Sequence, residues 1–336
     1  MKIHLSLISI IFIFLIASCS EPEKVVFTKY QIKGEAQGTY YSITYFDSLN
    51  RELKIQFDSL LTAFDMSASN YQEQSILSKV NRNEEVVLDD IFIGNYQLAM
   101  EVAEMTHGDF DITVRPLVEA WGFGKKDPED MNPEIVDSIL QFVGYKTVSL
   151  KDGKIIKLYS RTQLDFDALA QGYSVDVLVK YLQGLGIRSY LVDVGGEVFA
   201  SKEKIDSTLW HVGIEQPKEN AGYGEELSAI LPLSEKGMAT SGNYRKFYVK
   251  DGVKYAHTIN PHTGYPIAQT LLSTTVIASS AAKADAYATA FMVMGLEKTK
   301  EFVAQHPELD VYLIYSDSVG EYQYFATDNV MSVLGK

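Results

Sequence analysis

Six short phrases, each containing aromatic or glycine residues, are spread along this chain from residue 38 to residue 295 and constrain its fold more than any other feature. A single motif of this length occurs in many unrelated structures, whereas six motifs spread over most of one chain are far more specific. They therefore indicate one extended fold rather than a single functional loop. The phrases are GTYYSI from Gly38, FDITVRPLVEAWGFG from Phe110, LDFDALAQGYSVD from Leu164, ATSGNYR from Ala239, HTINPHTGYP from His257 and ADAYATAFMVMG from Ala284.

The first residues of the chain have the pattern of a secretory signal. Lys2 gives a weakly positive start, and the apolar run Ile3 to Ala17 is short for a helix that spans a bilayer. Small residues then lead into Cys19, the only cysteine, as in a lipobox. We expect residues 1–18 to be removed and Cys19 to carry lipid. An ordinary signal peptide with an incidental cysteine, or an uncut membrane anchor, is the alternative.

This pattern predicts a protein on the extracytoplasmic face of a bacterial membrane, anchored by lipid in the inner or the outer membrane. Two or three acyl chains at Cys19 would hold it stably, because one chain alone binds a bilayer only marginally. Residues 19–33 are predicted to be the lipidated cysteine and its tether, and residues 34–336 the folded domain. The charged stretch Lys125 to Pro133 is a candidate seam, so two closely packed lobes are the alternative to one undivided domain.

The acidic balance of the chain excludes one class of partner. The net charge is −14, and removing residues 1–18 deletes Lys2 and no acid, which makes it −15. Without clustered Lys and Arg, such a chain lacks the electrostatic footprint of a nucleic-acid-binding protein. If the ligand is an anion such as a dinucleotide, a bound cation is the natural intermediary between the two negative bodies.

Hydrophobic periodicity predicts a chain of mixed α and β structure. Alternation over Gly38 to Phe46 indicates a strand, and Ser189 to Val194 indicates another. Apolar residues at helical spacing indicate helices over Arg51 to Met66, Asn95 to Thr106 and Gly172 to Gly184. Strands and helices do not alternate regularly, so we predict an α+β fold of mixed or antiparallel sheets packed with helices, rather than a doubly wound sheet.

A further helix is predicted to begin near Ser279 or Ser280 and to end at Gly295. Asp285 and Thr289 are four residues apart within it, which places a carboxylate and a hydroxyl on one face, one turn apart. Two such oxygens, with a carbonyl and phosphate oxygens, suit the octahedral coordination of Mg2+. By pattern alone, a solvated or locally hydrogen-bonded pair is the other interpretation.

Taken together, the six phrases resemble the ApbE family of FAD:protein FMN transferases over roughly residues 34 to 330. The resemblance implies an ApbE-like, T-fold-like architecture, with FAD as substrate and Mg2+ as cofactor. The family's metal site is similar to the ADxxxT pattern that holds Asp285 and Thr289. Its third protein ligand, a main-chain carbonyl, matches the position of Ala168.

The resemblance also implies a set of residues around the flavin nucleotide. His257 matches a histidine near the scissile pyrophosphate and is a catalytic candidate as a proton acceptor, with loop scaffolding as its alternative role. Three residues depart from the family pattern: Gln37 stands where Met is common, Gln171 where Lys or Glu is common, and Asn260 where Asp is usual. Loss of the charge at Asn260 can weaken the orientation of that histidine. The implied nucleotide-contacting residues are Gln37, Asp109, Phe110, Asp111, Asp165, Gln171, Ser241 and Ile259.

The activity implied by the resemblance is transfer of FMN from FAD to a Ser or Thr hydroxyl of an extracytoplasmic flavoprotein, through a phosphoester bond and with release of AMP. The implied acceptors are membrane-bound flavoprotein subunits, as in quinone reductase or Rnf-type complexes. Two alternatives stay open. One is a Mg-dependent FAD pyrophosphatase that releases free FMN and AMP, and the other is a flavin-binding lipoprotein without catalysis, which the three departures favour.

Overall fold

An eight-stranded sheet forms the centre of the computed structural model, which describes residues 25–124, 130–218, 226–243, 247–250, 253–267 and 270–334. The predicted signal segment and Cys19 lie outside these residues. The strands of the sheet are β1 (Thr28–Ala36), β2 (Thr39–Asp47), β5 (Ser189–Val194), β6 (Glu197–Ala200), β9 (Lys236–Gly242), β12 (Leu271–Ala278), β13 (Asp310–Ser316) and β14 (Tyr322–Ala326).

The order of the strands across the sheet is β1-β2-β5-β6-β9-β12-β13-β14, and every neighbouring pair is antiparallel. Among the described residues, three two-stranded sheets lie outside it. They are formed by β3 (Val148–Lys151) with β4 (Lys154–Lys157), β7 (Trp210–Glu215) with β8 (Leu227–Leu233), and β10 (Phe247–Lys250) with β11 (Val253–Ala256).

Helices are distributed along the chain between the strands. None of those in the described ranges combines the length and the apolar character that crossing a membrane requires. The helices are α1 (Lys54–Ala68), α2 (Ile76–Asn81), α3 (Asp90–Met105), α4 (Arg115–Ala120), α5 (Pro133–Leu140), α6 (Ala170–Gly184), α7 (Ala281–Met294), α8 (Leu296–Gln305) and α9 (Asp328–Leu334).

Apolar side chains cover both faces of the sheet because successive residues of a strand point to opposite faces. Val192 of β5 packs in a cluster with Val175 and Leu178 of α6. Its neighbour Leu191 packs instead in a cluster that contains Trp210 of β7. The helices α1 and α6 therefore lie on one face, and the β7–β8 hairpin covers the other.

Two glycines allow α7 to lie against both β9 and α6. A Cβ atom at Gly172 would lie 2.5 Å from the carbonyl oxygen of Ala281, and one at Gly237 would lie 2.2 Å from the Ala281 nitrogen. Both distances are far below van der Waals contact with backbone atoms, which cannot move aside as a side chain can. The amino ends of α6 and α7 meet here, and this junction is where the candidate site is built.

The predicted α+β class is confirmed, and the sheets are antiparallel. The strand Ser189–Val194 has the predicted bounds, while α3 begins at Asp90, five residues before the predicted start, because Asp89 caps it by accepting from the Phe92 N–H. The boundary expected at residue 34 is wrong: residues 28–33 belong to β1 and pair with β2 rather than forming tether. The predicted seam lies partly outside the described residues.

Candidate active site

The helix α7 carries the predicted pair of metal ligands, Asp285 and Thr289, on one face. Ser280 caps its amino end by accepting a hydrogen bond from the Lys283 N–H at 3.2 Å, and Gly295 ends it with φ 76°. These are the start and the end that the sequence predicted. The Thr289 hydroxyl lies 3.2 Å from the hydroxyl of Ser241, which joins α7 to the end of β9.

Asp285 is buried, with 7% of its surface exposed. Its Oδ2 accepts a hydrogen bond from the backbone N–H of Gly172 at 3.1 Å. Burial raises the pKa of this carboxyl well above its ordinary range; the Gly172 N–H opposes the rise, and the charge of nearby Asp176 adds to it. The carboxylate thus lies in a place that favours its neutral form unless a cation is present.

The turn before α6 leaves one backbone carbonyl without its helical partner. Residues 167–169 form this turn, and α6 begins at Ala170. In a continuing helix the Gly172 N–H would bond to the carbonyl of Ala168, four residues back, but it donates to Asp285 instead. Within the described residues, no backbone N–H bonds to the Ala168 carbonyl.

These groups are oxygen donors of the kind that hard divalent cations prefer: one carboxylate, one hydroxyl and one backbone carbonyl. In the described part of the chain, no three His, Cys, Asp or Glu side chains lie together as a metal-binding cluster. A metal at the α6–α7 junction would therefore bind through Asp285 and neutral oxygens, with the remaining positions left for water or phosphate. The donor set fits Mg2+.

Asp176, which the sequence analysis did not identify, stabilises the α6–α7 junction through hydrogen bonds. Its two carboxylate oxygens accept the backbone N–H groups of Ala281 and Ala282, each at 3.0 Å, at the start of α7. Burial raises its pKa to about 6, against the effect of these two N–H groups. A signal was present in the sequence, since Asp176 lies four residues after Gly172 and three before Val179, on one face of an amphipathic helix. An acid on an apolar face needs hydrogen-bond donors.

Two hairpin tips lie against the first turn of α6. Gln37 and Gly38 form the two-residue loop between β1 and β2, both with positive φ, 55° and 72°, as a type I′ turn requires. The Gln37 Oε1 accepts from the Ser174 hydroxyl at 3.3 Å, while its Nε2 is buried without a hydrogen-bond partner among the described residues. At the β5–β6 tip, a Cβ on Gly195 would lie 2.7 Å from Gln171 Nε2.

Asp165 is held on both oxygens by other parts of the chain. Its Oδ1 accepts from Asn70 Nδ2 at 3.1 Å and from the Asp167 N–H at 2.9 Å, and its Oδ2 pairs with Arg115 at 3.2 Å. Arg115 also pairs with Glu119. The sequence indicated neither Asn70 nor Arg115. An arginine inside an apolar phrase was the available signal for Arg115, because a buried guanidinium requires carboxylate partners.

His257 is half-buried and precedes the loop that ends the fifth phrase. The next residue, Thr258, donates its hydroxyl hydrogen bond to Asn243 Oδ1 at 3.2 Å. Asn243 directly follows the end of β9 and lies two residues after Ser241. The loop that carries His257 is thus attached to the same strand end as the Ser241–Thr289 contact.

Asn260 shapes this loop through its amide oxygen. Oδ1 accepts the backbone N–H groups of His262 at 2.8 Å and Thr263 at 3.1 Å. Either Asn or Asp can supply such an acceptor. The replacement of Asp by Asn therefore preserves the loop geometry, and the described hydrogen bonds of this side chain go to the loop backbone. His262, also missed, lies with Nε2 3.1 Å from Asp109 Oδ1, so Asp109 is tied to the same loop.

Apolar packing by Ile259 holds the loop after β11 against the protein. Ile259 is buried in a cluster with Leu117, Trp121 and Val136, and it forms an isolated antiparallel bridge with Pro266. The Trp121 Nε1 donates to the carbonyl of Gly264 at 2.8 Å. The side chain of Ile259 is therefore used in packing within the protein.

Phe110 and Asp111 point into the protein. Phe110 belongs to the largest apolar cluster. Asp111 accepts the backbone N–H groups of Thr113 at 2.7 Å and Tyr145 at 2.6 Å, and burial raises its pKa against these bonds. Their side chains hold the segment in shape, so a role of this segment toward a ligand would use its backbone.

The predicted site residues fall into three groups. Those with contacts at the α6–α7 junction and its hairpin tips are Gln37, Gln171, Ser241, Asp285 and Thr289, and Ala168 lies in the turn that precedes α6. Those tied to the loop after β11 are Asp109, His257 and Ile259. Those with buried side chains engaged by the protein itself are Phe110, Asp111 and Asp165.

Comparison with known proteins places this geometry in a family. The ApbE family model matches residues 37–313. The FAD:protein FMN transferase of Haemophilus influenzae is 31% identical over 93% of both chains, and that of Vibrio cholerae is 31% identical over 95% of this chain and 96% of its own. Among solved structures, the flavin transferase ApbE from Vibrio cholerae has a TM-score of 0.81 at 29% identity, covering 92% of this chain and 100% of that one.

The apo crystal structure of the Pseudomonas stutzeri flavinyl transferase ApbE gives a TM-score of 0.82 at 27% identity, with 92% of this chain and 98% of that chain covered. These likenesses extend over nearly the whole length of the relatives as well as of this chain. By its matched residues, its fold and its relatives, the chain belongs to the ApbE family.

Proposed function

We propose that this chain transfers FMN from FAD to a Ser or Thr hydroxyl of a flavoprotein, through a phosphoester bond, with Mg2+ as cofactor and AMP as the leaving group. Its relatives are named FAD:protein FMN transferase, and it covers most of their length. The observation that carries the proposal is Asp285, a buried carboxylate with a hydroxyl one turn away. Within the described residues its hydrogen bond comes from a backbone N–H and its charged neighbour is another acid, so a cation is the partner that it lacks.

Three residues would hold the ion. Asp285 and Thr289 would bind it through side-chain oxygens and Ala168 through its carbonyl, while the Gly172 N–H fixes the orientation of the carboxylate. When bound, Mg2+ would screen the two phosphates of FAD and stabilise charge on the leaving phosphate, a contribution of several kcal/mol. The bound cation would thereby reduce the electrostatic repulsion between an acidic protein and its anionic substrate.

The transfer forms one bond and breaks one. The acceptor oxygen bonds to the phosphorus of the FMN half, and the bond from that phosphorus to the bridging oxygen breaks, so AMP leaves with that oxygen. We assign His257 as the acceptor of the hydroxyl proton, since its loop is attached to the strand end beside Thr289. A positioned base of this kind contributes roughly a hundred- to ten-thousand-fold to the rate.

The nucleotide is proposed to lie across the hairpin tips and the start of α6. The buried Nε2 of Gln37, without a partner among the described residues, would donate to a flavin oxygen. Gln171 and Ser241 would contribute hydrogen bonds near the phosphates. Asp109 and the backbone of Ile259 would contact the ligand from the loop that carries His257.

The remaining three residues, Phe110, Asp111 and Asp165, are assigned to the nucleotide through the backbone that they shape. Their side chains pack or bond within the protein, as the contacts of Asp165 with Arg115 illustrate. These side chains would therefore affect a bound nucleotide by holding in place the backbone that contacts it.

We further propose that residues 1–18 are a signal segment and that lipid on Cys19 anchors the protein on the extracytoplasmic face of a bacterial membrane. The lipobox pattern of the sequence supports this. The acceptors would be membrane-bound flavoprotein subunits, of quinone reductase or Rnf type. A donor enzyme held at the same surface as its acceptors meets them at a high local concentration.

The experiment that tests the transfer mixes the detergent-solubilised full chain with FAD, Mg2+ and a candidate acceptor subunit. Covalent flavin fluorescence on the acceptor band of a denaturing gel is expected, and none with EDTA or with FMN in place of FAD. An Asp285→Ala variant should lose the labelling, and undiminished labelling would refute the metal site. Free FMN and AMP without a labelled acceptor would instead identify a pyrophosphatase, and tight FAD binding without turnover a flavin-binding protein.

A further inference from the structure

We infer that this protein docks on the bilayer through an apolar patch at the base of the β1–β2 hairpin, so that its folded domain, and not only its lipid, contacts the membrane. The patch consists of Val25, Val26, Phe27, Leu49 and Ile55. Their exposed fractions range from 42% for Phe27 to 80% for Ile55. The inference rests on the lipid anchor in the proposed function.

The five side chains belong to one end of the molecule. The Thr28 hydroxyl donates to Asn50 Oδ1, and Phe27 and Leu49 each precede one of these bonded residues. The chain then enters α1, in which Ile55 is the second residue. The Leu53 N–H donates to the Tyr45 hydroxyl of β2, so the start of α1 also lies toward the base of the hairpin. Exposed apolar side chains gathered at one end in this way mark an interaction surface more than scattered exposed residues do.

Two of the cations beside the patch are paired with acids. Arg51 pairs with Asp47 at 2.7 Å, and Lys54 pairs with Asp58 at 2.8 Å. The mature chain as a whole is strongly acidic. The negative charge of the chain opposes attraction to anionic lipid headgroups, so the chemistry of this surface is insertion of apolar side chains at the boundary of headgroups and acyl chains.

The chain between the anchor and the patch selects the bilayer as the occupant. Val25 lies six residues after Cys19, so even a fully extended tether spans about 20 Å. The intervening residues Ser20 to Lys24 read SEPEK and are too polar to cover the patch themselves. An apolar surface held this close to a bilayer by a short tether has the membrane as its nearest apolar partner.

Docking in this way would set the distance between the membrane surface and the candidate active site. The strands β1 and β2 are nine residues each, so the tip at Gln37 and Gly38 lies about 30 Å from the base of the hairpin. The tip contacts α6 beside the α6–α7 junction. Acceptor hydroxyls would then be reached up to that distance above the membrane surface.

The test places tryptophan on the patch in the lipidated full chain, reconstituted in phosphatidylcholine vesicles with brominated acyl chains. Ile55→Trp is the probe, and Val87→Trp is the matched control, because Val87 is 88% exposed and lies outside the patch, near the opposite end of α1. We expect the Ile55→Trp fluorescence to be quenched at least about threefold more than that of Val87→Trp, because a docked side chain enters the headgroup boundary. The native Trp121 and Trp210 give the background, measured in the unsubstituted protein.

Adding Val26→Glu and Phe27→Glu to the Ile55→Trp variant should reduce the quenching to the level of the control. Equal quenching of probe and control in protein whose mass includes the acyl chains would overturn the inference, as would crosslinking of the probe position to a second copy or to another protein. Absence of acyl chains would overturn the anchor and the docking together. Flavin transfer measured in detergent depends on neither, so failure of the proposed activity is seen separately. Leu49→Trp serves as a second probe if Ile55→Trp does not fold.

Discussion

Asp165 and Asp285 are buried to the same extent, each with 7% of its surface exposed, yet their surroundings are opposite. Asp165 has the guanidinium of Arg115 on one oxygen and two N–H donors on the other. Asp285 has one backbone N–H, and its charged neighbour is another acid, Asp176. The first carboxylate is neutralised by the protein, whereas the second lacks a cation within the described residues.

The difference distinguishes a carboxylate that stabilises the fold from a carboxylate that is suited to bind an ion. A buried carboxylate is stabilised when a cation and hydrogen bonds replace its water, and it is costly without them. Asp165 therefore holds together the segments that contribute Asn70, Arg115 and the turn before α6. Burial raises the pKa of Asp285, and a cation from solution would favour its charged form, as the proposed metal site requires.

The largest effect is expected from Asp285→Asn. This change keeps the shape of the side chain and removes the charge, so flavin transfer should fall about a thousandfold or more, because charge stabilisation by the metal is worth several kcal/mol. The metal-free protein should be no less stable, because a poorly solvated acid has been removed. Initial rates of covalent flavin fluorescence and urea unfolding in EDTA measure the two quantities.

Asp165→Asn is the matched control for that experiment. It should lower the free energy of unfolding, since Arg115 loses one of its two carboxylate partners. The Mg2+ concentration that gives half-maximal transfer should change little. If the two variants behave alike in both assays, the distinction between the two carboxylates does not hold.

The next effect concerns Arg115, which is 4% exposed and pairs with Asp165 and Glu119. Arg115→Met leaves the buried carboxylate of Asp165 without its cation and removes one partner of Glu119, so the free energy of unfolding should fall by about 3–5 kcal/mol. Adding Asp165→Asn to this variant should recover part of the loss. Urea unfolding followed by tryptophan fluorescence gives these values, and a loss below about 1 kcal/mol would place Arg115 with ordinary surface ion pairs.

Local pattern was sufficient for part of this site. The caps Ser280 and Gly295, and the spacing of Asp285 from Thr289, are all encoded within one helix, and the structure has the helix where they predict it. The strand Ser189–Val194 was likewise found by its own alternation. Such features need no knowledge of the rest of the chain.

Contacts between distant segments could not be predicted in the same way. Arg115 and Asp165 are 50 residues apart, and Gly172 and Asp285 are 113 apart. No periodicity links such positions, so Arg115 and Asp176 were missed although each lay inside a phrase that the sequence had singled out. The family resemblance supplied the role of Asp285, and only the fold supplies its neighbours.

A third carboxylate, Asp193, provides a further test of the contrast between Asp165 and Asp285. Its oxygens accept from the Gly196 N–H at 3.0 Å and the Tyr40 hydroxyl at 3.3 Å, and burial raises its pKa to about 6. Because the folded value lies above the ordinary 3.8, this group favours the folded state fully below about pH 4, and that contribution is lost as pH rises through 6.

Asp193→Asn removes this dependence while keeping an acceptor for Gly196. The free energy of unfolding of the variant, relative to the unsubstituted protein, should therefore increase by about 2–3 kcal/mol between pH 4 and pH 7, at roughly 1.4 kcal/mol for each pKa unit. Urea unfolding at several pH values measures the difference. A flat difference across this range would mean that Asp193 has a cationic partner, as Asp165 does.

The smallest effect is expected at Thr289, whose hydroxyl lies 3.2 Å from that of Ser241 and one turn from Asp285. If the carboxylate supplies the charge and the hydroxyl only completes the coordination, Thr289→Val should raise the Mg2+ concentration for half-maximal transfer about tenfold, equivalent to about 1.4 kcal/mol. Thr289→Ser keeps the oxygen and should stay within about threefold of the unsubstituted protein, because only a methyl group is lost. Rates measured across a Mg2+ titration give both values. Equal losses in Thr289→Val and Thr289→Ser would show that the methyl group matters and the oxygen does not, and Asp285 would then be the only side chain of α7 left to bind the ion.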